Sequence, residues 1–529
     1  MFCRPTDKKP WKKETDGDFT IWSAGVFNHK QEVLTLLKSG KITQGSLGEI
    51  LKKEYLNFGL IIEGNGTCLA LVDRTQSYPV FYDTGAKTVS FKAQDLSPKK
   101  DENVNDDNLL IFTMAGYVIG EETFIKNISQ LLAGQYLFFS DKSVEITHYY
   151  RYRPAPQSNS EENLVRDLGQ VMDETIERCL ESCKDKQICV PLSGGLDSRF
   201  LAAKFHEHGV KDLVTFSYGL PGNYEAKKAE EVAKQLGVPW TMLPSRPQDA
   251  SALFQSEKRK AYEDYAHGYS FIPSYVEYEA IDALDRSGLI SKDTILINGQ
   301  SGDYITGGHI PTAIYESKNP CLDDVLNFAV EKHFSLWTNI KTPENVALVT
   351  SKIKDRLLLD CNKQKFTLEE LVSAYETFEW EERQSKMVVH ANKCYDFFGY
   401  DWRLPLWDKA LMDFFEKVPF DQKYKQKLYK TYLQDYNYKG VFTTLSAQPV
   451  LWRTDQMGII LMARLIGLIK GKSAKADFYK KKFYYGDQHY QYALFGKEMY
   501  DANYKNIRNM ISLSILDFMQ SQNLKFPAA

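Results

Sequence analysis

Short apolar runs separated by polar breaks dominate the first 150 residues of the chain. From about residue 20 onward, runs rich in β-branched and aromatic residues are bounded by Gly, Asn and Asp, a pattern typical of short strands. The runs are FTIWSAGVF, FGLIIEG, TCLALVD, YPVFYD, KTVSFKA and QYLFFS. The pattern predicts a β-rich front domain over residues 1–152.

A different pattern begins near residue 160, where apolar strands alternate with helical stretches. The polar stretch RYRPAPQSNSEEN predicts a linker, and Ser160 is placed to cap a helix that runs to about Cys183. QICVPLS precedes SRFLAAKFHEHG, LVTFSYG precedes YEAKKAEEVAKQLG, and DTILING follows a long mixed segment. This alternation predicts a parallel sheet wrapped by helices over residues 160–440, followed by a helical extension over residues 441–529.

One apolar run in that extension, MGIILMARLIGLI at residues 457–469, has two interpretations. It is too short to span a bilayer and contains Arg464. Basic residues follow in KGKSAKADFYKKKF, so the run would suit contact with an anionic membrane surface. We favour the other interpretation, an amphipathic helix packed on the body of the protein with a solvated basic tail.

Composition narrows the class of protein without deciding its function. The chain of 529 residues is 43% hydrophobic and 26% charged, as expected for a globular protein of two or more domains. Its net charge of −3 argues against a nucleic-acid partner. The eight cysteines fit neither a zinc site nor a redox motif, and the first residues lack an apolar signal core. We therefore expect buried free thiols and a cytoplasmic location.

The segment VPLSGGLDSRF combines two glycines, two hydroxyls and a carboxylate between a predicted strand and a predicted helix. Gly194 and Gly195 would let backbone N–H groups approach an anion and would tolerate positive φ. Ser193 and Ser198 add hydroxyl donors, and the helix N-terminus adds partial positive charge. Asp197 would repel phosphate unless Mg²⁺ lay between them. The segment therefore predicts a phosphate-binding loop that uses magnesium.

Four segments in order resemble the asparagine synthetase-like family of adenylate-forming ATP pyrophosphatases. PLSGGLDSRFLAA resembles the pyrophosphate loop, and TFSYGLPGNYEAKKAEEVAKQLGVP resembles the second strand and helix. INGQSGDYITGGH and ERQSKMVV…YDWRLPLWD resemble the family's SGEGxDExFGGY and DRxSMAxxxEVRVPFLD segments. In the front domain, LALVDRTQSYPVFYD resembles LARDRxGxxPLYY. The resemblance implies an α+β part, an Ntn-type, β-sandwich-like glutaminase domain, followed by an α/β part, a parallel-sheet domain of the PP-loop (adenine nucleotide α-hydrolase) type.

The resemblance also implies a reaction and a set of site residues. A substrate carboxylate attacks the α-phosphorus of ATP to give an acyl-adenylate and pyrophosphate, and nitrogen then attacks the activated carbonyl to give an amide and AMP. Asp197 and Asp303 would hold Mg²⁺, and a lysine on a late helix, Lys427 or Lys425, would neutralise phosphate charge. The backbone near Tyr218 would contact adenine. The residues expected at ATP and pyrophosphate are Leu192, Ser193, Gly194, Gly195, Asp197, Ser198, Tyr218, Asn298 and Gly299.

The front domain departs from the glutaminase pattern at the nucleophile. Glutaminases of this family use an N-terminal cysteine whose own α-amino group serves as the base. Here Phe2 would block removal of the initiator methionine, so Cys3 would not be a chain-terminal nucleophile. Alignment of IWSAGVFN with the family's CSIFGVFD places Ile21 at the cysteine position, and the RGPD and NGE segments that bind glutamine have no counterpart. We therefore predict an inactive glutaminase site.

A second departure from the family pattern lies at Gln300. Asparagine-forming members carry glutamate at this position, whereas relatives that make other amides carry different residues. Gln300 is neutral and cannot act as a general base, so we expect it to set substrate choice or to orient the acyl-adenylate. Asp401, where the family has the glutamate of EVR, would either remove a proton or form a salt bridge with Arg403 or a cap. Aspartate is therefore not the expected substrate.

These observations predict an AMP-forming ligase that joins a carboxylate to nitrogen from free ammonia, a separate glutaminase or a substrate amine. The aromatic-rich stretch ETFEWEERQSKMVVHANKCYDFFGYDWRLPLWD resembles members associated with surface-polysaccharide gene clusters, which favours amidation of a sugar carboxylate. Closure of a lactam or peptide ring is the second enzyme hypothesis. A catalytically silent scaffold that binds nucleotide is the third, and the intact SGGLDS and QSGD segments argue against it.

Overall fold

The structure is a computed structural model that describes residues 10–96, 103–245, 247–359, 363, 365–445, 454–487 and 494–527. Cys3 lies outside the described residues. Among the helices that are described, none is long and apolar enough to cross a membrane.

The front half contains two antiparallel sheets. Their strands are β1 Lys12–Asp16, β2 Phe19–Gly25, β3 Phe58–Gly64, β4 Thr67–Val72, β5 Phe81–Asp83, β6 Thr88–Ser90, β7 Ser129–Gln130, β8 Gln135–Ser140 and β9 Val144–His148. One sheet has the order β1-β2-β3-β4-β8-β9, and the other has the order β6-β5-β7. All six predicted apolar runs form strands here.

Side chains of the larger sheet alternate between two apolar layers, because successive residues of a strand point to opposite faces. Ile21 belongs to the outer layer, which is covered by the helices Lys30–Lys38 and Gln44–Leu51. Trp22, the next residue along β2, belongs to the main core on the opposite face. The register Ile21↔Ile62 keeps the two outer-layer side chains side by side.

The rear half is built on a parallel sheet, as the sequence predicts. Its strands are β10 Ile188–Pro191, β11 Leu213–Gly219, β12 Trp240–Pro244, β13 Ile295–Ile297 and β14 Asp401–Arg403. The order is β12-β11-β10-β13-β14, and each neighbouring pair is parallel. The carboxyl ends of these strands therefore lie at one edge of the sheet, where ligands bind in open α/β folds.

Helices surround this sheet and continue into the extension. The helix predicted from Ser160 is confirmed as Glu161–Glu181, and the Ser160 hydroxyl accepts from the Asn163 N–H at 3.3 Å. The other helices outside the outer layer of the front half are Asp106–Ala115, Leu196–Glu207, Tyr224–Leu236, Pro247–Phe254, Glu257–Ala266, Tyr278–Ser287, Gly302–Ile305, Thr312–Tyr315, Leu322–His333, Pro343–Arg356, Leu368–Glu379, the π-helical segment Trp380–Val388, Lys393–Phe398, Lys409–Phe415, Phe420–Lys423, Lys427–Tyr436, Thr454–Asp487, Lys497–Asn503 and Met510–Ser521.

The two halves share one continuous apolar core. The ring of Phe518, in the helix Met510–Ser521, lies 5.6 Å from that of Phe112 in the front half. The buried carboxylate of Glu382 accepts from the Gly120 N–H at 3.0 Å. These contacts fix the front half against the helices that border the parallel sheet, and the predicted domain boundaries stay predictions.

Candidate active site

The predicted phosphate loop lies at the carboxyl end of β10 and leads into the next helix. The Ser198 hydroxyl accepts from the Ser193 N–H at 3.0 Å, and the Ser193 hydroxyl accepts from the Gly195 N–H at 3.1 Å. The buried Arg199 side chain donates to the Gly194 carbonyl at 2.7 Å. Hydroxyl and guanidinium groups therefore hold the loop in a defined conformation.

The two loop glycines do not use the left-handed backbone region that glycine permits. Neither Gly194 nor Gly195 has a positive φ, and the φ of Gly195 is −70°. A Cβ on Gly195 would lie 3.1 Å from the Ser193 hydroxyl, and one on Gly194 would lie 3.5 Å from Cα of Glu225. The tolerance of positive φ that the sequence suggested is therefore not used here, and a Cβ would be crowded at Gly195 but in ordinary contact at Gly194.

A second loop, residues 298–303, follows β13 and packs directly on the first turn of the helix after the phosphate loop. A Cβ on Gly299 would lie 3.0 Å from the Asp197 carbonyl carbon. A Cβ on Gly302 would lie 2.4 Å from Asp197 Cγ, a distance too short for two non-bonded carbon atoms. Glycine at both positions therefore brings Asp197 and Asp303 together.

Asp197 and Asp303 form a carboxylate pair in which each charge acts on the other. Burial, and then the negative charge of Asp303, raises the pKa of Asp197 to about 7. Its buried Oδ1 has no hydrogen-bond partner among the described residues. Asp303 is more accessible, with 57% of its side chain exposed. A cation between the two carboxylates would satisfy the orphaned oxygen and cancel the repulsion, so the pair fits Mg²⁺.

The carboxylate pair offers only two side chains as metal ligands. No group of three or more His, Cys, Asp and Glu side chains that could hold a metal occurs in the described part of the chain. Magnesium is commonly held by one or two carboxylates, with substrate phosphates and water completing its shell. The donor set therefore suits a cation that arrives with a phosphate ligand.

His309 orients Asp303. Its Nε2 lies 3.0 Å from Asp303 Oδ2, and its Nδ1 lies 2.6 Å from the fully buried Glu379, which also pairs with Lys332 at 2.9 Å. Burial lowers the pKa of His309, but its two carboxylate partners outweigh burial and raise it to about 9. His309 is therefore charged near neutral pH. Burial raises the pKa of Asp303, but hydrogen bonding and charge from His309 lower it further than burial raises it.

Gln300 lies between two asparagines. Its side-chain oxygen accepts from Asn392 Nδ2 at 2.7 Å, and its backbone N–H donates to Asn298 Oδ1 at 2.9 Å. Asn298 Nδ2 lies 2.9 Å from the Tyr395 hydroxyl. The Gln300 side chain is thus held by its oxygen, which leaves its Nε2 group as the donor toward a ligand.

Glu277 is a site residue that the sequence did not reveal. The Tyr395 hydroxyl donates to one carboxylate oxygen, and the Tyr218 hydroxyl lies 3.4 Å from the other. Burial raises the pKa of Glu277, which the hydroxyl hydrogen bonds partly oppose. Glu277 lies outside every segment that resembles a motif, so only the fold brings it to the site.

These groups line one cavity of about 570 Å³ over the carboxyl edge of the parallel sheet. This volume falls in the range of small-molecule and cofactor sites. Most of the predicted site residues line it, and Glu277 lines it beside them. The predicted residues in the lining are Leu192, Ser193, Gly195, Asp197, Ser198, Tyr218, Asn298, Gly299, Gln300 and Asp303.

Asp401 does not reach this cavity. It begins β14 and pairs with Ile295 at the amino end of β13, so it lies at the opposite edge of the sheet. Its carboxylate is 4.0 Å from Lys186, and the predicted salt bridge with Arg403 is not formed. The position of Asp401 therefore argues against its predicted role as a base, because a base must approach the reacting atoms.

The two candidate lysines are exposed and paired elsewhere. Lys427 Nζ lies 2.7 Å from Glu161, and Lys425 Nζ lies 3.0 Å from Glu316. Neither lysine lines the cavity. Tyr429, on the helix that Lys427 begins, does lie beside Asp197 and perturbs its pKa. This helix therefore borders the site, and the role of each lysine stays a prediction.

Comparison with known proteins agrees with this geometry. Residues 167–441 match the asparagine synthase family. A putative asparagine synthetase [glutamine-hydrolyzing] 2 of Methanocaldococcus jannaschii is 24% identical over 218 residues, which cover 40% of either chain. Asparagine synthetase B [glutamine-hydrolyzing] of Escherichia coli is 31% identical over 130 residues, which cover 21% of this chain and 22% of the relative.

The matched regions thus span less than half of either relative. Among solved structures, an NH3-dependent NAD synthetase from Campylobacter jejuni matches 37% of this chain and 95% of its own, with 13% identity and a TM-score of 0.21. The match to the family spans both loops that form the cavity and more than half of the chain. The chain therefore belongs to the asparagine synthase family.

Proposed function

We propose that the cavity binds ATP and that the chain is an AMP-forming carbon–nitrogen ligase. The observation that carries this proposal is the close packing of the SGGLDS loop against residues 298–303 around a single cavity. The loop hydroxyls and the helix N-terminus suit the phosphates of ATP. The backbone near Tyr218, at the carboxyl end of β11, suits adenine.

Asp197 and Asp303 would hold the magnesium ion, which would neutralise phosphate charge when ATP is bound. His309 keeps Asp303 ionised and fixes its direction, since it is itself held by the buried Glu379. The orphaned oxygen of Asp197 supports this assignment.

In the first step, a substrate carboxylate attacks the α-phosphorus of ATP, the bond to the β,γ-diphosphate breaks, and pyrophosphate leaves. Gln300 lines the same cavity and carries no charge. Because Asn392 holds its side-chain oxygen, its Nε2 group would donate to an oxygen of the bound carboxylate. We assign Gln300 to orientation and selection of the substrate.

In the second step, Glu277 would accept the proton. Nitrogen attacks the acyl carbon, the bond to AMP breaks, and the proton lost by nitrogen passes to the Glu277 carboxylate. Glu277 suits this role because Gln300 is neutral, Asp401 is at the opposite edge, and Asp197 and Asp303 are assigned to magnesium. Burial raises its pKa toward the range in which a carboxylate is an effective base.

The nitrogen would be ammonia, ammonia from a separate glutaminase, or a substrate amine. At the position where the family has its glutaminase cysteine, Ile21 is 1% exposed and packs in the outer layer. Ile21 offers neither a nucleophile nor access, which supports an inactive front site. For the carboxylate we favour a sugar acid, on the resemblance of residues 376–408 to members associated with surface-polysaccharide gene clusters.

The test is ATP–pyrophosphate exchange by the purified chain across a panel of carboxylic acids that includes uronic acids, aspartate and amino-substituted acids. We expect exchange with one class of acid and none with aspartate. AMP release that needs added ammonium would support amidation, whereas AMP release without it would support ring closure by an internal amine. ATP binding without exchange for every acid would contradict the proposal and favour a silent scaffold.

A further inference from the structure

The helix Thr454–Asp487 folds back on itself at Gly471, which has φ 87° and ψ 176°. A Cβ on Gly467 would lie 3.0 Å from the Lys475 side chain, so the two arms are in contact on either side of the bend. We call residues 457–482 the hairpin. Its tip is the sequence LIKGK, residues 468–472.

The second arm of the hairpin is attached to the body of the protein. The Tyr500 hydroxyl donates to the Lys480 carbonyl, and Lys480 Nζ donates to the Lys505 carbonyl at 3.1 Å. Ala476 and Tyr479 line a groove with residues of the body. The hairpin therefore has a defined base from which its first arm and tip project.

The first arm exposes many of the apolar residues that we expected to pack on the body, whereas Ala463 on the same arm is buried. The expectation is therefore wrong for the exposed residues. The exposed residues are Met457, Leu461, Met462, Leu465, Leu468 and Ile469, at 54–83% of full exposure. Spacings of three and four residues place them along one stripe. Elsewhere among the described residues, large exposed apolar side chains occur singly and at only 41–43%. The most exposed of all, Leu468 and Ile469, are at the tip.

Positive charge surrounds this stripe. Lys470 and Lys472 flank Gly471 at the tip and are exposed, and Arg464 and Lys475 lie on the arms. Residues 457–476 contain no acidic side chain. Apolar residues beside lysines suit a membrane interface that contains anionic lipid. There the acyl chains accept the apolar side chains, and the headgroups attract the lysines.

We propose that the hairpin docks the protein on an anionic membrane surface, with its tip inserted at the boundary of headgroups and acyl chains. The arm lies on the bilayer and does not cross it, which agrees with its length and with Arg464. A second copy of the chain suits the same face less well, because residues 457–476 contain basic and no acidic side chains, so two such faces would repel each other.

The experiment is vesicle cosedimentation of the full chain with phosphatidylcholine alone and with phosphatidylcholine containing phosphatidylglycerol. We expect binding to the anionic vesicles that weakens in high salt. The double variant L468E/I469E should bind at least about tenfold more weakly, because two apolar side chains no longer enter the bilayer. The variant K470S/K472S should lose about tenfold or more of the preference for anionic vesicles.

Leu289→Glu is the control, because it adds one glutamate at an exposed leucine elsewhere in the chain and should leave binding unchanged. All variants should retain the circular dichroism spectrum of the parent, since the changed side chains are exposed. Equal binding by L468E/I469E and the parent would overturn the proposal, as would failure of the parent to bind either vesicle. A parent dimer that L468E/I469E converts to monomer, without vesicle binding, would assign the face to protein association instead.

Discussion

Two positions that align with functional residues of the family differ in their surroundings, Asp197 in the rear half and Ile21 in the front half. In the rear half, the strand β10 ends in a polar loop, and Asp197 has a raised pKa and an oxygen without a partner. In the front half, the position that aligns with the family's nucleophile is Ile21, which is buried in a well-packed apolar layer. Functional sites commonly retain groups that cost stability, whereas positions without chemistry are free to pack. The difference supports our proposal that chemistry is retained in the rear half and replaced by packing in the front half.

The largest expected effect is a loss of activity from a substitution in the rear half. Asp197→Asn should lower ATP–pyrophosphate exchange by about a thousandfold or more, because a neutral amide would no longer hold the cation that would neutralise the phosphate charge. Exchange assays and circular dichroism on the same sample would separate loss of activity from unfolding. Exchange within tenfold of the parent in a folded variant would contradict the assignment of Asp197.

The matching change in the front half should act on stability alone. Ile21→Ala should lower the free energy of unfolding by about 2–5 kcal/mol, because it leaves a cavity between β2 and the outer helices. The variant that remains folded should keep the parent rate of exchange per folded molecule. Denaturant unfolding and exchange assays would test both parts, and a loss of activity larger than the loss of folded protein would assign Ile21 a role in the reaction.

Glu277→Gln should slow the second chemical step and leave the first nearly unchanged. We expect amide formation to fall by about a hundredfold, because the proton acceptor is lost. Exchange should stay within a few-fold, since adenylate formation does not require that proton transfer. Asp401→Asn is the matched control at the opposite edge of the sheet and should leave both rates unchanged. A parallel loss of both rates in Glu277→Gln would indicate a binding role instead.

The smallest expected effect is a pH-dependent gain of stability. The raised pKa of Asp197 means that the folded state disfavours its charged form, so the parent loses stability as pH rises from the ordinary carboxyl range through about 7. Asp197→Asn removes this loss, and its melting temperature should exceed that of the parent more at about pH 8 than at about pH 5. A difference that is independent of pH would show that Asp197 is not destabilised by its surroundings.

The sequence predicted those parts of the fold in which the local apolar pattern matches the positions that are buried in the structure. The apolar runs of the front half form strands because alternate residues enter the two apolar layers. By contrast, β1 is the polar segment KKETD, in which four of five residues are exposed at the edge of a sheet. The strand β14 has only three residues. The strand β1 carries no apolar residue and β14 carries only Trp402, so neither shows an alternating apolar pattern, and pairing with a neighbouring strand defines both.

The site shows the same limit. Its two loops were predictable because each is contiguous in sequence and follows a buried strand. Glu277 and Tyr395 meet across 118 positions, and His309 meets Glu379 across 70. No local pattern connects such residues. Alignment likewise gave Asp401 a motif position, but it could not show that Asp401 lies at the edge of the sheet opposite the cavity.

The shared core has a consequence for biosynthesis. Thr113 of the front half contacts Met519 across 406 positions, and Phe518 packs against Phe112 in the same region. At about 5–20 residues per second, the ribosome would take about 20–80 s to supply the second partner after the first has emerged. The front half therefore keeps an uncovered apolar patch while the rear half is made, and the covering of this patch by the helix Met510–Ser521 is a late event in folding.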